Sequence, residues 1–169
     1  IQFDRFYSAS AVCSPTRASI MTGKHPSRIG ITDWITPEDP PSETWQKLRK
    51  NQKLICPENR RALPLEEFTM AEALNTAGYP TFYAGKWHLG DEGFFPQNQG
   101  FEVNKGGHMK GSPPGGYYIP YNNPQLEDGP EGEYLTDRLT NESIAFIEQN
   151  KENPFFLYLA FYTVHSPIQ

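Results

Sequence analysis

The apolar positions of this chain fall into helical stripes and unbroken strand-like runs, separated by long polar stretches. Thr69-Met70-Ala71-Glu72 has capping-box spacing, and Met70, Ala73, Leu74 and Ala77 follow at i, i+3, i+4 and i+7. That pattern predicts an amphipathic helix ended by Gly78. Tyr79 to Ala84 is aromatic and contains threonine, so it predicts a buried strand running into Gly85-Lys86-Trp87-His88. Leu135, Leu139 and Phe146 share one stripe of a second helix that reaches about Asn150, flanked by Ile144 and Ile147. Phe155 to Val164 is almost wholly apolar, the pattern of a central strand covered on both faces. Helix alternating with buried strand argues for an α/β sheet with helices on its faces, and in such sheets ligands sit beyond the carboxyl ends of the strands.

The segments between these elements are rich in turn formers. Ile1 to Val12, with Phe3, Phe6, Tyr7 and Val12, reads as an extended lead-in to a helix whose first turn holds Pro15 and whose stop is Gly23. Residues 33–64 carry Pro37, Pro40, Pro41, Pro57 and Pro64 with no sustained period and are expected to form a surface excursion. Gly90 to Gly132 is again loop-like, with Gly106-Gly107, Pro113-Pro114-Gly115-Gly116 and the group Tyr117, Tyr118 and Tyr121. No repeat emerges.

With 169 residues the chain is long enough to bury a sizeable core. It opens on Ile1 and stops at Gln169 just after a long apolar run, which reads as an internal piece of a longer protein. No apolar run approaches the ~18 residues of a membrane helix. A formal net charge of −5 argues against a nucleic-acid binder. Locally, however, Arg17, Lys24, His25, Arg28, Lys86 and His88 gather in or beside two short segments, the makings of a cationic pocket for an anion. The two cysteines are Cys13 and Cys56. A disulfide scaffold is not expected, and Cys56 reads as a loop or core thiol.

The first segment is Cys13-Ser14-Pro15-Thr16-Arg17, continuing to Thr22-Gly23. It sets a reactive side chain and a fixed cation at one helix N-terminus, a place suited to an anion. The second is Gly78-Tyr79-Pro80-Thr81-Phe82-Tyr83-Ala84-Gly85-Lys86-Trp87-His88. In this order they resemble the two signatures of the type I sulfatases. The resemblance implies a fold, an alkaline-phosphatase-like sandwich with a mostly parallel central sheet, and makes residues 1–169 the central part of one catalytic domain. It also implies hydrolysis of sulfate monoesters, on sulfated carbohydrates or aryl sulfates. Cys13 would be oxidised to formylglycine (3-oxoalanine) by a formylglycine-generating, sulfatase-maturating enzyme. The hydrate of that aldehyde attacks sulfur and then expels sulfate.

The same resemblance implies further roles. Arg17 holds the formylglycine hydrate, Lys86 contacts a sulfate oxygen, and His88 bonds the formylglycine hydroxyl and helps remove its proton. His165, in Tyr162-Thr163-Val164-His165-Ser166-Pro167, corresponds to the histidine that contacts the sulfate or the leaving oxygen. Lys86, His88 and His165 each come directly after a predicted strand, so they converge with Cys13 on one sheet edge. His108, Lys110 and Ser112, in the loop Gly106-Gly107-His108-Met109-Lys110-Gly111-Ser112, are candidates for substrate contacts. The family binds a divalent cation, usually Ca²⁺, through formylglycine and acidic pairs on either side of this region. Asp4 lacks a neighbouring Asp, so apart from modified Cys13 the ligands are expected outside these residues, and the piece alone is expected to be inactive. The resemblance favours a periplasmic or secreted setting. A formylglycine-dependent phosphonate or phosphate monoester hydrolase shares the nucleophile motif, and a non-catalytic sulfatase-derived module is the reading from another class. For Cys13 itself, an ordinary buried thiol and an unmodified nucleophilic cysteine are the other readings of the residue.

Overall fold

The computed structural model describes residues 2–36, 53–54 and 58–168. Cys56 and most of the proline-rich excursion lie outside them. In chain order the described elements are helices α1 (Cys13–Thr22), α2 (Pro26–Ile29) and α3 (Met70–Thr76), strand β1 (Thr81–Gly85), a 3₁₀ turn (Pro96–Asn98), strand β2 (Val103–Lys105), helix α4 (Leu135–Asn150) and strand β3 (Phe156–Ala160). The strands form a parallel sheet in the order β2-β1-β3.

β1 organises the molecule because every one of its residues is buried. Successive side chains of a strand point to opposite faces, and here each face has its own core. Tyr83 packs with Ala18 and Met21 of α1, Ala71 of α3, Trp87 and Phe101. Phe82 and Ala84 pack on the other side with Leu135, Leu139 and Phe146 of α4. The Phe82 and Phe146 rings stack at 4.7 Å. Helices therefore cover both faces of the sheet, and the strand pattern with its alternating aromatics is the reason.

Local signals place the helix ends. α1 stops at Gly23, which adopts φ 67° and donates its N–H to the Ser19 carbonyl at 2.8 Å. The α3 capping box is formed, with the Glu72 N–H donating to the Thr69 hydroxyl oxygen and the Thr69 N–H donating to the Glu72 carboxylate.

Three expectations change. The inward face of α3 carries Ala71, while Met70, Ala73 and Ala77 are exposed. The helix is seven residues long and weakly apolar, so its rotation is set by anchors: the Thr69 hydroxyl donates to the Gln99 carbonyl at 2.8 Å. The last strand covers Phe156–Ala160 rather than Phe155 to Val164, and its residues are half-buried. It pairs with β1 on one side only among the described residues, and the chain turns away after Ala160, leaving Val164 exposed. Finally, the lead-in is irregular and exposes Phe3, Phe6 and Tyr7. It is tied down at its end by Thr16, whose hydroxyl donates to the Ser10 carbonyl at 2.8 Å.

Candidate active site

β1 and β3 run in parallel and end side by side, with the Lys86 N–H donating to the Ala160 carbonyl at 2.8 Å. The segments that leave the two strands consequently emerge at the same edge. Cys13, at the first position of α1, faces that edge from an N-terminus that no side chain caps. The neighbouring Ser14 is fully buried and its hydroxyl accepts the Ile35 N–H at 3.0 Å. Cys13, His88, Lys110, Ser112 and His165 line one cavity of about 570 Å³, together with Val12, Trp34, Met109 and Gly111.

Beneath this cavity lie two cations. Arg17 donates to the Lys86 carbonyl and, at 3.5 Å, to the Tyr83 hydroxyl, which itself donates to the same carbonyl. Burial raises the Tyr83 pKa, so the phenol stays protonated as a donor. The Lys86 side chain is buried. Burial lowers its pKa, the adjacent Cys13 thiolate form would raise it, and Arg17 lowers it again. The net direction is down, because burial outweighs the favourable interaction with Cys13.

His88 is 3% exposed and sits at φ 58°, in the left-handed region that few non-glycine residues occupy. Its Nε2 lies 2.7 Å from the Ile35 carbonyl. A carbonyl can only accept, so the proton is on Nε2 and Nδ1 presents a lone pair. That Nδ1 is buried without a partner among the described residues. Burial pushes the His88 pKa down to about 4, against the Ile35 bond and with help from the charges of Lys86, Arg17 and His165. The loop behind the ring approaches closely: a Cβ on Gly111 would lie 2.5 Å from the imidazole Cε1.

This depressed pKa has a measurable consequence. Between its ordinary value of 6.5 and about 4, His88 takes up a proton in the unfolded chain but not in the folded one. Stability is therefore lost as pH falls through that window, by up to about 3 kcal/mol at its lower end. Urea midpoints measured from pH 7 to pH 4.5 should fall less steeply for His88→Gln than for the native protein. Equal slopes would show that His88 is not the buried neutral base described.

His165 stands exposed at the mouth of the cavity. Its loop is held by Tyr117, whose hydroxyl lies 2.8 Å from the His165 carbonyl and 2.9 Å from that of Tyr162. Other residues separate from the cavity. The His108 ring stacks on Phe95 at 6.0 Å and lines a different cavity, of about 650 Å³, with Asp91, Glu92 and Gln125. Only its backbone reaches the site, accepting the His88 N–H at 3.1 Å. Lys24 pairs with Glu67, His25 caps α2 by accepting the Ser27 N–H, and Arg28 is exposed on that helix. The cationic group at the cavity thus narrows to Arg17 and Lys86 beside the neutral His88, with Lys110 and His165 at its mouth. Tyr117 and Trp34 are additions from outside the two signatures and the glycine-rich loop, and Tyr83 and Gly111 lie inside those segments without an assigned role.

Among the described residues, no three His, Cys, Asp or Glu side chains come together as metal ligands. Asp4 is exposed and accepts a hydrogen bond from Gln2. These residues do not amount to the six to eight oxygen ligands that Ca²⁺ takes. Nor is any helix among the described residues long and apolar enough to cross a membrane.

The sulfatase family model matches residues 1–169. An arylsulfatase of Hemicentrotus pulcherrimus is 33% identical, the match covering 99% of this chain and 31% of that protein. Homo sapiens N-acetylgalactosamine-6-sulfatase is 30% identical over 98% of this chain and 33% of its own length. The chain thus spans about a third of each of these curated relatives. Among solved structures, Ps i-CgsB in complex with k-i-k-neocarrahexaose superposes with a TM-score of 0.69 at 27% identity, covering 96% of this chain and 37% of that one. The putative sulfatase yidJ of Bacteroides fragilis superposes at 0.61 with 20% identity over 94% of this chain and 35% of its own, a likeness of fold alone. The parallel sheet with helices on both faces is part of the alkaline-phosphatase-like α/β fold of these neighbours.

Proposed function

The chain belongs to the sulfatase family, and on that premise we propose that it is the central part of a catalytic domain that hydrolyses sulfate monoesters through Cys13. The observation that carries the reading is the unpartnered Nδ1 of His88, buried in a cavity wall that also holds Cys13, with Lys86 and Arg17 beneath. A buried lone pair beside buried cations has a use only if a proton and an anion arrive together.

Cys13 suits conversion to formylglycine: it is a free cysteine, only partly buried, at an uncapped helix start on the cavity. Once converted, it supplies a hydrated aldehyde as an oxygen nucleophile. The chain's own residues do the rest. His88 Nδ1 accepts the proton that the group at Cys13 gives up. Lys86 and Arg17 hold negative charge in a site where burial strengthens each interaction. His165, exposed at the mouth, delivers a proton to the departing alcohol oxygen. The maturating enzyme that reads Cys13 to Arg17 and a Ca²⁺ held largely by ligands outside residues 1–169 belong to the same proposal. The alcohol half is a sulfated carbohydrate or an aryl group, in keeping with the relatives' names.

A phosphate or phosphonate monoester hydrolase is the rival. A sulfate ester brings one negative charge, whereas a phosphate monoester brings two to a site whose buried cations are Lys86 and an Arg17 already bonded to the Lys86 carbonyl and the Tyr83 hydroxyl. Leaving part of a buried charge uncompensated is costly. On matched aryl esters, with Cys13 converted, kcat/KM for the sulfate is expected to exceed that for the phosphate by at least about tenfold. A preference for phosphate or phosphonate would assign the protein to the rival class.

A further inference from the structure

The ring of a histidine turns over easily about χ2, and for His88 that would exchange Nδ1 for the carbon Cδ2. The bond that selects one orientation runs from Nε2 to the Ile35 carbonyl, at 2.7 Å. The backbone of His88, at φ 58°, likewise persists only where its surroundings hold it. The Ile35 carbonyl must therefore be in place, yet residues 31–36 form neither helix nor strand, so no ladder of backbone bonds positions them. Asn59 takes the place of that ladder. Its Oδ1 accepts the Thr32 N–H at 2.8 Å and the Asp33 N–H at 3.1 Å, and its Nδ2 donates to the Asp33 carbonyl at 3.0 Å and the Trp34 carbonyl at 3.4 Å. Two lone pairs and two N–H groups are all that an amide side chain has. Here all of them serve the three residues that end directly before Ile35. A second tie comes from Ser14, fully buried, whose hydroxyl accepts the Ile35 N–H at 3.0 Å. Ser14 follows Cys13 in the chain, so the neighbour of the nucleophile holds the residue that orients the base.

Resting on the sulfatase reading, we infer that Asn59 and Ser14 are positioning residues for the reaction: they hold the Ile35 carbonyl on His88 Nε2 and so keep the Nδ1 lone pair where the proton of the group at Cys13 arrives. Both act through Ile35 and His88. A movement of about 1 Å would take the carbonyl out of hydrogen-bond reach, and misplacement on that scale costs an enzyme up to about 10²-fold in rate.

The test uses the full-length protein. With the histidines labelled by ¹⁵N, the His88 Nε2–H is assigned by its absence from His88→Gln, and its exchange with water is followed by NMR. In Asn59→Ala that exchange is expected to be at least about tenfold faster. After conversion of Cys13, confirmed by peptide mass, Asn59→Ala should lower kcat about 10- to 100-fold and leave KM within about twofold, because Lys86 and Arg17 still hold the anion. In a His88→Ala background the same substitution should change kcat by less than about twofold, since its effect passes through the ring. Ser14→Ala should reproduce all three results. The inference is overturned if the Nε2–H exchange is unchanged, if only the urea midpoint falls, or if the losses from Asn59→Ala and His88→Ala multiply. Should Asn59→Ala not fold, Asn59→Asp decides. It keeps the acceptor for the Thr32 and Asp33 N–H groups, so a smaller loss of the same kind is expected, and native exchange with native kcat overturns the inference. Failure of the sulfatase reading looks different: the native, converted protein then cleaves no sulfate ester, while the exchange measurement, which needs no turnover, still reports whether Asn59 holds Ile35 to His88.

Discussion

Replacing Cys13 by alanine is expected to reduce sulfate ester hydrolysis on the order of 10⁴-fold or more, while leaving the fold intact. Lys86 and Arg17 would still gather an anion, but the group that forms the bond to sulfur would be gone. The expectation of an unchanged fold comes from the position of Cys13: it is half-exposed on the cavity, and the packing of α1 rests on Ser14, Pro15, Ala18 and Met21. Cys13→Ser is the informative companion, since it keeps a hydroxyl nucleophile but cannot become an aldehyde. It is expected to react once and stall as a serine sulfate ester with release of the alcohol, so a mass increase of one SO₃ on the intact protein should accompany loss of turnover. Both measurements are made on the full-length protein produced with a maturating enzyme. Full activity in a protein whose Cys13 remains a thiol by peptide mass would falsify the mechanism.

The elements legible in the sequence are those whose signals are local and redundant. Gly23 and the Thr69 capping box mark helix ends, and the aromatic run ending at Gly85 marks β1. The rule that parallel strands present their carboxyl ends to ligands is enough to bring Lys86 and His165 to one edge, and the structure has them there. What was not legible depends on contacts distant in sequence. β2 is three residues long, too short to show a period, and exists because β1 offers it an edge. α2 has a signal that reading by hydrophobic period misses, with Pro26 at its first position and Gly30 at φ 81° after its end. Trp34 lies in a segment without periodicity, and only folding brings it beside His88, more than fifty residues away in the chain. His108 shows the opposite error. Its neighbours in the glycine-rich loop, Lys110 and Ser112, do reach the cavity, but its ring turns to Phe95 because the loop has no regular alternation.

The glycine that ends β1 couples the fold to the site, and Gly85→Ala is expected to cost about 4 kcal/mol, near the upper end for a single substitution. Gly85 has φ 102°, where a side chain is strained whatever room surrounds it. Here there is no room either. A Cβ would lie 2.0 Å from the Ala160 carbonyl oxygen and 2.8 Å from its carbon. These are backbone atoms of the paired strand and cannot rotate aside. The same oxygen accepts the Lys86 N–H, so relieving the clash by separating β1 from β3 breaks the bond that positions Lys86. His88, two residues further on, would move with it. Gly23→Ala is the control: Gly23 has φ 67°, but its Cβ would meet nothing within 4 Å, so only the conformational cost of about 1 kcal/mol remains. Urea unfolding of the two variants separates the effects, and activity should fall sharply only for Gly85→Ala, even at temperatures where it stays folded. Similar small losses in both would mean that the strands do not approach at Gly85 as described, and with that the shared edge of Lys86 and His165 would lose its structural basis.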